Sequence, residues 1–248
     1  MKATILGEWE MELPELKEGD KWFLDWALRD PKHAGDHLTV SWRTFAALKE
    51  HIYNTGDYVT AVKEYFGGIG AHALMLQHLF EPSDHAVSDS NHSSVEHMQE
   101  VLPGHVRVCR ADAYDPLTPW FADVAVLDFG DLTVHKAQPH LERGKLLDKV
   151  FSLDPLGVTV TDIAARYLHL QKDNYEKILG PGTCNTYEDY LEAFSRHIEE
   201  RTGYVLLQGN YTRWSTVMAF VPNKDNVRHG NFYKSLPSAV STPGLVIS

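Results

Sequence analysis

The stretch that decides the fold is Glu64-Tyr65-Phe66-Gly67-Gly68-Ile69-Gly70. The residues before it, Tyr58–Phe66, are rich in β-branched and aromatic side chains and predict a strand, and Gly70–Phe80 is rich in alanine and leucine and predicts a helix. Glycines in such a turn let the backbone bend sharply and let a ligand approach it closely. The turn therefore predicts a cofactor site at the end of the first strand. Its crowded glycines differ from the G-x-G-x-x-G spacing of dinucleotide sites.

Strand and helix signals alternate on the C-terminal side of this turn. Parallel strands need helical crossovers, whereas the last two predicted strands have no helix between them and suit a hairpin. The sequence therefore predicts an α/β fold with a Rossmann-like, mostly parallel seven-stranded sheet, helices on both faces and a C-terminal antiparallel hairpin. The six strands predicted after the first are His85–Ser88, Val106–Cys109, Val124–Leu127, Gly157–Thr161, Tyr204–Gln208 and Thr216–Val221.

Three regions follow from this pattern. Residues 58–222 form the predicted ligand-binding domain. Residues 1–57 are expected to be an N-terminal extension that packs on the core, with a helix near Ser41–Tyr53 where apolar residues recur at helical spacing. Residues 223–248 contain glycine, proline and serine and predict an irregular tail.

Fourteen histidines raise the question of a metal site. His33 and His37 have the spacing of two ligands on a helix, but Pro31 and Gly35 around them predict a loop. No cysteine or glutamate completes a recognisable zinc pattern near them. We therefore expect no metal site.

Charge and composition restrict the possible partners. The formal net charge is −11, and an acidic protein is a poor general binder of nucleic acid. Residues 203–248 nevertheless carry a net charge of +3 and several aromatic side chains, which is either a local site for DNA or RNA or a solvated tail. The N-terminus lacks the order of a signal peptide, and no apolar run approaches the ~20 residues of a membrane span. We expect a cytoplasmic protein with no membrane partner and an unknown oligomeric state.

The glycine turn resembles motif I of the class I S-adenosylmethionine-dependent methyltransferases. Glu64, Phe66, Gly68 and Gly70 fill the pattern acid-x-Phe-x-Gly-x-Gly, with Gly67 between them. This form is similar to the one common in enzymes that methylate nucleic acids. The resemblance implies S-adenosylmethionine as the cofactor, and its positively charged amino acid end suits an acid at the end of a strand.

The resemblance continues at the ends of the following strands, in the family's order. It implies that Asp89, with Ser90 beside it, contacts the ribose hydroxyls of the cofactor, and that Asp112 and Ala113 contact the adenine. Asp128 occupies the motif IV position, beside the cofactor. Each acid also has a plainer interpretation, since a strand-end aspartate often caps the next helix or opens a turn.

The motif IV segment, Leu127-Asp128-Phe129-Gly130-Asp131, departs from the pattern of amino-methylating DNA enzymes, which carry two prolines after the acid. Asp128 or Asp131 is expected to orient an acceptor amine, and Phe129 either stacks on a base or is a core aromatic. The resemblance favours methylation of a DNA or RNA base. The alternatives are a small-molecule methyltransferase and a protein of this fold that binds without turnover.

Overall fold

The computed structural model describes residues 2–5, 9–12, 31–68, 70–113, 121–129, 139–162, 165–223, 229–234 and 245–247. The strands in this part of the chain are β1 Lys2–Ile5, β2 Trp9–Glu12, β3 Ala61–Tyr65, β4 Asp84–Asp89, β5 Val106–Arg110, β6 Val124–Asp128, β7 Gly157–Asp162, β8 Tyr204–Tyr211, β9 Thr216–Pro222, β10 Asn231–Lys234 and β11 Leu245–Ile247. The helices are α1 Pro31–Asn54, α2 Ala71–Phe80, α3 His92–Val101, α4 Pro139–Phe151, α5 Leu168–Leu179 and α6 Tyr187–Thr202, with a 3₁₀ turn at Ala165–Tyr167.

The main sheet has the strand order β10-β8-β9-β7-β6-β3-β4-β5. Neighbours from β7 to β5 are parallel, and β9 runs antiparallel to both β7 and β8. The predicted Rossmann-like, mostly parallel sheet with a late hairpin is therefore confirmed. A second, three-stranded sheet has the order β11-β1-β2.

One strand of the main sheet was not expected. Strand β10 pairs in parallel with β8, so an irregular tail is the wrong prediction for Asn231–Lys234. The contact that holds β10 in place joins residues that are far apart in the sequence. A Cβ on Gly209 of β8 would lie 2.3 Å from Cδ1 of Phe232, so the glycine leaves the space that the Phe232 ring fills. Because glycines and prolines surround β10, the sequence did not indicate that it pairs with β8.

Helices cover both faces of the sheet. On one face, Phe45, Leu48 and Ile52 of α1 pack with residues of β3, β6 and β9, and α2 and α3 lie on the same face. On the other face, Tyr190 and Phe194 belong to a large aromatic cluster that joins α4, α5 and α6 to the sheet. Strands buried on both faces are almost wholly apolar, so a buried polar side chain in them needs its own explanation.

Helix α1 begins much earlier than Ser41, since it runs for 24 residues from Pro31. The loop predicted around His33 and His37 is therefore wrong. Proline is tolerated at the first position of a helix, where its missing N–H has no partner in any case. A Cβ on Gly157 of β7 would lie 2.6 Å from Leu48 Cδ1, which shows how closely this helix approaches the sheet.

Two further properties bear on the sequence-based expectations. No helix within the described ranges is long and apolar enough to cross a membrane. Cys109 and Cys184 are both free thiols.

Candidate functional site

The strand order reverses direction beside β3. The chain passes from β3 to β4 and β5 on one side, and then returns to place β6 on the other side of β3. Open α/β sheets bind ligands in the crevice beyond the carboxyl ends of the strands at such a reversal. In this chain the glycine turn follows β3 directly, and Asp128 is the last residue of β6.

The glycines of the turn differ in what surrounds them. A Cβ on Gly67 would lie 2.2 Å from Val87 Cγ1, and a Cβ on Gly70 would lie 3.1 Å from the Leu102 side chain, so both are close-packed. Gly68 has φ of +55°, and among the described residues a Cβ there would meet a single atom, the Phe66 carbonyl oxygen 3.9 Å away. Within this part of the chain the backbone of Gly68 is therefore left open on its Cβ side, as a close-binding ligand requires.

Asp89 braces this turn from the neighbouring strand. Its Oδ2 accepts a hydrogen bond from the Gly68 N–H at 3.0 Å, and its Oδ1 accepts one from the Asn91 N–H at 2.8 Å. The cap of α3 is Asn91, whose side chain accepts from the Ser93 N–H. Asp89 is therefore not the helix cap, and its half-buried carboxylate lies against the exposed backbone of Gly68.

Glu64 is the buried acid of the site. It has no exposed surface, and neither carboxyl oxygen has a hydrogen-bond partner among the described residues. Its Oε1 lies 3.9 Å from Nδ1 of His72. Burial raises the pKa of the Glu64 carboxyl well above its usual value, the charge of Asp128 raises it further, and Lys63 opposes both. A buried acid without donors is costly, and a positively charged ligand would remove that cost.

Asp128 lies across from Glu64 at the end of β6. Its Oδ1 accepts a hydrogen bond from the Thr161 hydroxyl of β7 at 2.5 Å, and its Oδ2 lies 3.3 Å from Nδ1 of His72. The side chain of Asp128 is 22% exposed, whereas that of His72 is 2% exposed. Asp128 is therefore the acid of this pair that solvent or an acceptor can reach.

Two histidines complete the group, and no motif in the sequence places either of them at the site. His72 lies in the first turn of α2, two residues after the glycine turn, with Nε2 2.9 Å from the Ser41 hydroxyl. His37 of α1 stacks near it, with ring centroids 5.0 Å apart, and its Nδ1 lies 2.6 Å from the Ser215 hydroxyl. Burial lowers the pKa of His72, and the charge of Asp128 opposes this shift. One nitrogen of each ring and one carboxylate oxygen of Asp128 lie within 4.8 Å of one another, a grouping that could hold a metal ion.

The comparisons with known proteins identify the fold. No protein-family model matches the chain, and no curated protein matches it either. Among solved structures, the plantazolicin methyltransferase BpumL in complex with SAH superposes with a TM-score of 0.56 at 9% identity, over 83% of this chain and 91% of that one. The chain has the fold of the class I S-adenosylmethionine-dependent methyltransferases.

Two other solved structures are similar to this chain at lower TM-scores and over smaller parts of it. A putative RNA methyltransferase, PH1948 from Pyrococcus horikoshii, superposes with a TM-score of 0.46 at 15% identity, over 73% of this chain and 82% of that one. The sugar N-methyltransferase KedS8 from Streptoalloteichus superposes with a TM-score of 0.45 at 14% identity. The match covers 62% of this chain and spans 57% of the length of KedS8.

The other residues predicted for the methyltransferase site fall in different surroundings. Phe129 is 1% exposed and packs on Phe66 with ring centroids 5.6 Å apart, the setting of a core aromatic. Ala113 is buried in the same cluster, whereas Asp112 and Ser90 are exposed. Asp131 lies outside the described residues. The structure thus brings Glu64, Gly68, Asp89 and Asp128 around the crevice, and their contacts with a cofactor stay a prediction.

The C-terminal quarter reaches the same edge of the sheet, because β9 runs antiparallel to β7. In the β8–β9 turn, the Arg213 guanidinium lies 5.3 Å from the centroid of the Trp214 ring, and Arg166 lies 3.9 Å from it. Beside β10, the amino group of Lys234 lies 3.9 Å from a carboxylate oxygen of Glu188. A groove there of about 650 Å³ is lined by three glutamates and one arginine among other residues: Glu188, Glu192, Glu199 and Arg196. Lys234, one of the cations that make residues 203–248 positive, therefore lies beside carboxylates.

Proposed function

We propose that this chain is an S-adenosylmethionine-dependent methyltransferase that acts on a small molecule. The observation that carries the proposal is the buried carboxyl of Glu64, which has no hydrogen-bond partner among the described residues, beside the backbone of Gly68 at the strand-order reversal of a methyltransferase fold. S-adenosylmethionine has an ammonium group and a sulfonium centre and no phosphate. It therefore supplies the positive charge that Glu64 lacks, whereas NAD or ATP would bring phosphates.

The residues present fit this cofactor. Glu64 would hold its charged amino acid end, Gly68 would let its body lie against the backbone, and Asp89 would accept a hydrogen bond from a ribose hydroxyl. When bound, the cofactor supplies a methyl group already activated by the sulfonium, so the protein mainly aligns the acceptor. Asp128 is the partly exposed acid beside this site and would accept a hydrogen bond from the acceptor, which orients its lone pair.

Two observations favour a small acceptor over a nucleic acid. Three solved structures that superpose at TM-scores of 0.50 to 0.56 are of a plantazolicin methyltransferase, two of them with desmethylPZN analogs bound. The protein also carries a net charge of −11, and Lys234 in the segment proposed for phosphate contacts faces Glu188. The net charge repels phosphates, and Glu188 offsets the attraction that Lys234 would exert on them.

One observation supports a nucleic acid as the second candidate for the methyl acceptor. Arg166, Arg213 and Trp214 form a stacked cationic and aromatic group at the edge of the sheet that carries the site. Such mixtures suit base stacking combined with phosphate contacts. A nucleic acid bound only here would bind weakly and would dissociate at moderate salt.

Calorimetry with S-adenosylhomocysteine tests the cofactor site. Wild-type protein should bind it and should not bind NAD. Gly68→Ala should lower the affinity at least tenfold, because the added methyl enters the open space. Gly203→Ala is the matched control, since Gly203 has φ of +74°, lies at the C-terminal end of α6 and has no atom of the described residues within 4 Å of an added Cβ. Both variants carry a similar backbone strain of ~1–2 kcal/mol, so equal affinities would place the cofactor elsewhere.

The acceptor is tested by following a labelled methyl group. Cofactor labelled in its methyl is incubated with the protein and a cell extract, which is then separated into small molecules, DNA and RNA. Label in the small-molecule fraction supports the proposal, and label in DNA or RNA replaces it with the second candidate. Binding of S-adenosylhomocysteine with no transfer to any fraction would indicate a binding protein without turnover. Absence of binding would contradict both candidates.

A further inference from the structure

Three potential metal ligands converge beside the proposed cofactor site from three separate elements. His37 comes from α1, His72 from α2 and Asp128 from the end of β6. One ligand atom of each lies within 4.8 Å of the others. His72 Nδ1 and Asp128 Oδ2 are 3.3 Å apart, close to the separation of two ligands that share one ion at ~2.0–2.2 Å each.

The hydrogen bonds of His72 define which of its nitrogens presents a lone pair. The Ser41 hydroxyl donates its proton to the carbonyl oxygen of His37 at 2.8 Å, so its oxygen accepts from Nε2–H of His72. Neutral His72 therefore presents the lone pair of Nδ1 to a carboxylate oxygen of Asp128. Two acceptors at that distance repel each other unless a cation lies between them. A proton on Nδ1 or a metal ion would relieve this repulsion, and the convergence of a third ligand atom, from His37, favours the metal ion.

A hydroxyl group also lies within hydrogen-bonding distance of a polar atom of each of the three side chains. Ser41 holds His72 through Nε2, Ser215 lies 2.6 Å from His37 Nδ1, and Thr161 donates to Asp128 Oδ1. Hydrogen bonds of this kind, which orient ligands through their second polar atom, surround metal sites in proteins.

We propose that His37, His72 and Asp128 bind a divalent first-row transition-metal ion such as Zn²⁺. Two imidazole nitrogens and one carboxylate oxygen are typical ligands for these ions, and three protein ligands leave coordination positions open. His37 and Asp128 are partly exposed, which gives the ion a path from solvent. Such an ion would bind and polarise an oxygen or nitrogen of a ligand in the crevice. The proposal does not depend on methyl transfer, since it rests on these side chains alone.

Titration with Co²⁺ tests the site directly, because bound Co²⁺ absorbs visible light according to its ligands. Full-length protein is first treated with a chelator and then titrated without cofactor. Wild-type protein should bind one equivalent and develop the absorption of a nitrogen- and oxygen-ligated ion. His72→Gln and Asp128→Asn should each lower the affinity at least tenfold. His97→Gln, at a buried histidine of α3, and His51→Gln, in the last turn of α1, are matched controls and should bind as wild type.

A second variant covers the case in which a ligand substitution disturbs folding. Ser41→Ala leaves all three ligands in place but removes the group that orients His72, and should weaken Co²⁺ binding ~10–100-fold. Binding in His72→Gln and Asp128→Asn equal to that of wild type would overturn the proposal, as would wild-type protein that binds no Co²⁺. Calorimetry of the metal-free protein with S-adenosylhomocysteine separates this result from the cofactor proposal.

Discussion

Glu64 and Asp162 are buried acids at the same edge of one sheet, and their surroundings are opposite. Asp162, at the end of β7, is 4% exposed and accepts hydrogen bonds from the hydroxyls of Tyr175 at 3.2 Å and Tyr190 at 2.6 Å. Glu64, near the end of β3, has no exposed surface and no hydrogen-bond donor among the described residues. Asp162 therefore has the surroundings of a group that stabilises the fold, and Glu64 those of a group that a ligand completes.

The largest expected effect belongs to Asp162. Asp162→Ala leaves two buried tyrosine hydroxyls without this acceptor and should lower the free energy of unfolding by about 3 kcal/mol. Urea unfolding followed by circular dichroism measures it. Tyr175→Phe and Tyr190→Phe remove one donor each and should cost about 1 kcal/mol. A loss below that of either single tyrosine variant would mean that Asp162 is not the acid that these hydroxyls stabilise.

Glu64→Gln, in contrast to Asp162→Ala, should lower the affinity for a ligand without lowering the stability of the fold. The affinity for S-adenosylhomocysteine should fall by about 1.5–3 kcal/mol, the contribution of a hydrogen bond to a charged group. The free energy of unfolding near neutral pH should stay the same or rise, because the substitution removes a buried acid that lacks donors. Calorimetry and urea unfolding of the same preparation give both values. Lower stability with unchanged affinity would mean that Glu64, like Asp162, stabilises the fold and does not bind the ligand.

The third expected effect is a pH dependence of stability. Unfolded Glu64 loses its proton near pH 4.5, whereas the raised pKa keeps the folded side chain protonated to higher pH. The folded state then binds more protons, so stability falls as pH rises above 4.5 by up to ~1.4 kcal/mol per pH unit. His72 has the opposite sign, because its lowered pKa removes stability as pH falls below 6.5.

Comparing wild type with Glu64→Gln isolates the Glu64 contribution, because His72 is present in both proteins. The stability of the wild type relative to the variant should decrease steadily from pH 4.5 upwards, as measured by urea unfolding at several pH values. A relative stability that increases with pH would show that Glu64 is stabilised as a carboxylate in the folded protein.

Features set by neighbouring residues were predictable from the sequence. The turn at Glu64–Gly70 follows from an apolar strand, crowded glycines and a helix-forming segment. The capping box of α6 follows from Thr186 and Asp189, and both of its hydrogen bonds are present. The parallel direction of most strands follows from the helices between them, since a parallel pair needs a crossover.

Features set by contacts between distant residues were not predictable. His37 meets His72 because α1 crosses the sheet beside α2, and no spacing in the sequence encodes that crossing. The proline and glycine near His37 favoured a loop, and packing of the rest of α1 on the core outweighed them. The difference between Glu64 and Asp162 is of the same kind, since the tyrosines that bind Asp162 lie 13 and 28 residues away.

The contact between α1 and the β8–β9 turn has a consequence for how the protein is made. His37 meets Ser215 across 178 residues, and Thr44 accepts a hydrogen bond from Asn210 across 166. A ribosome that adds ~5–20 residues per second needs roughly 9–36 s between these partners. During that interval the part of α1 that contacts β8 and β9 has no partner and is open to chaperones or to other nascent chains, although β3 and β6 are already present. Translation must deliver the hairpin before the packing of the first helix is complete.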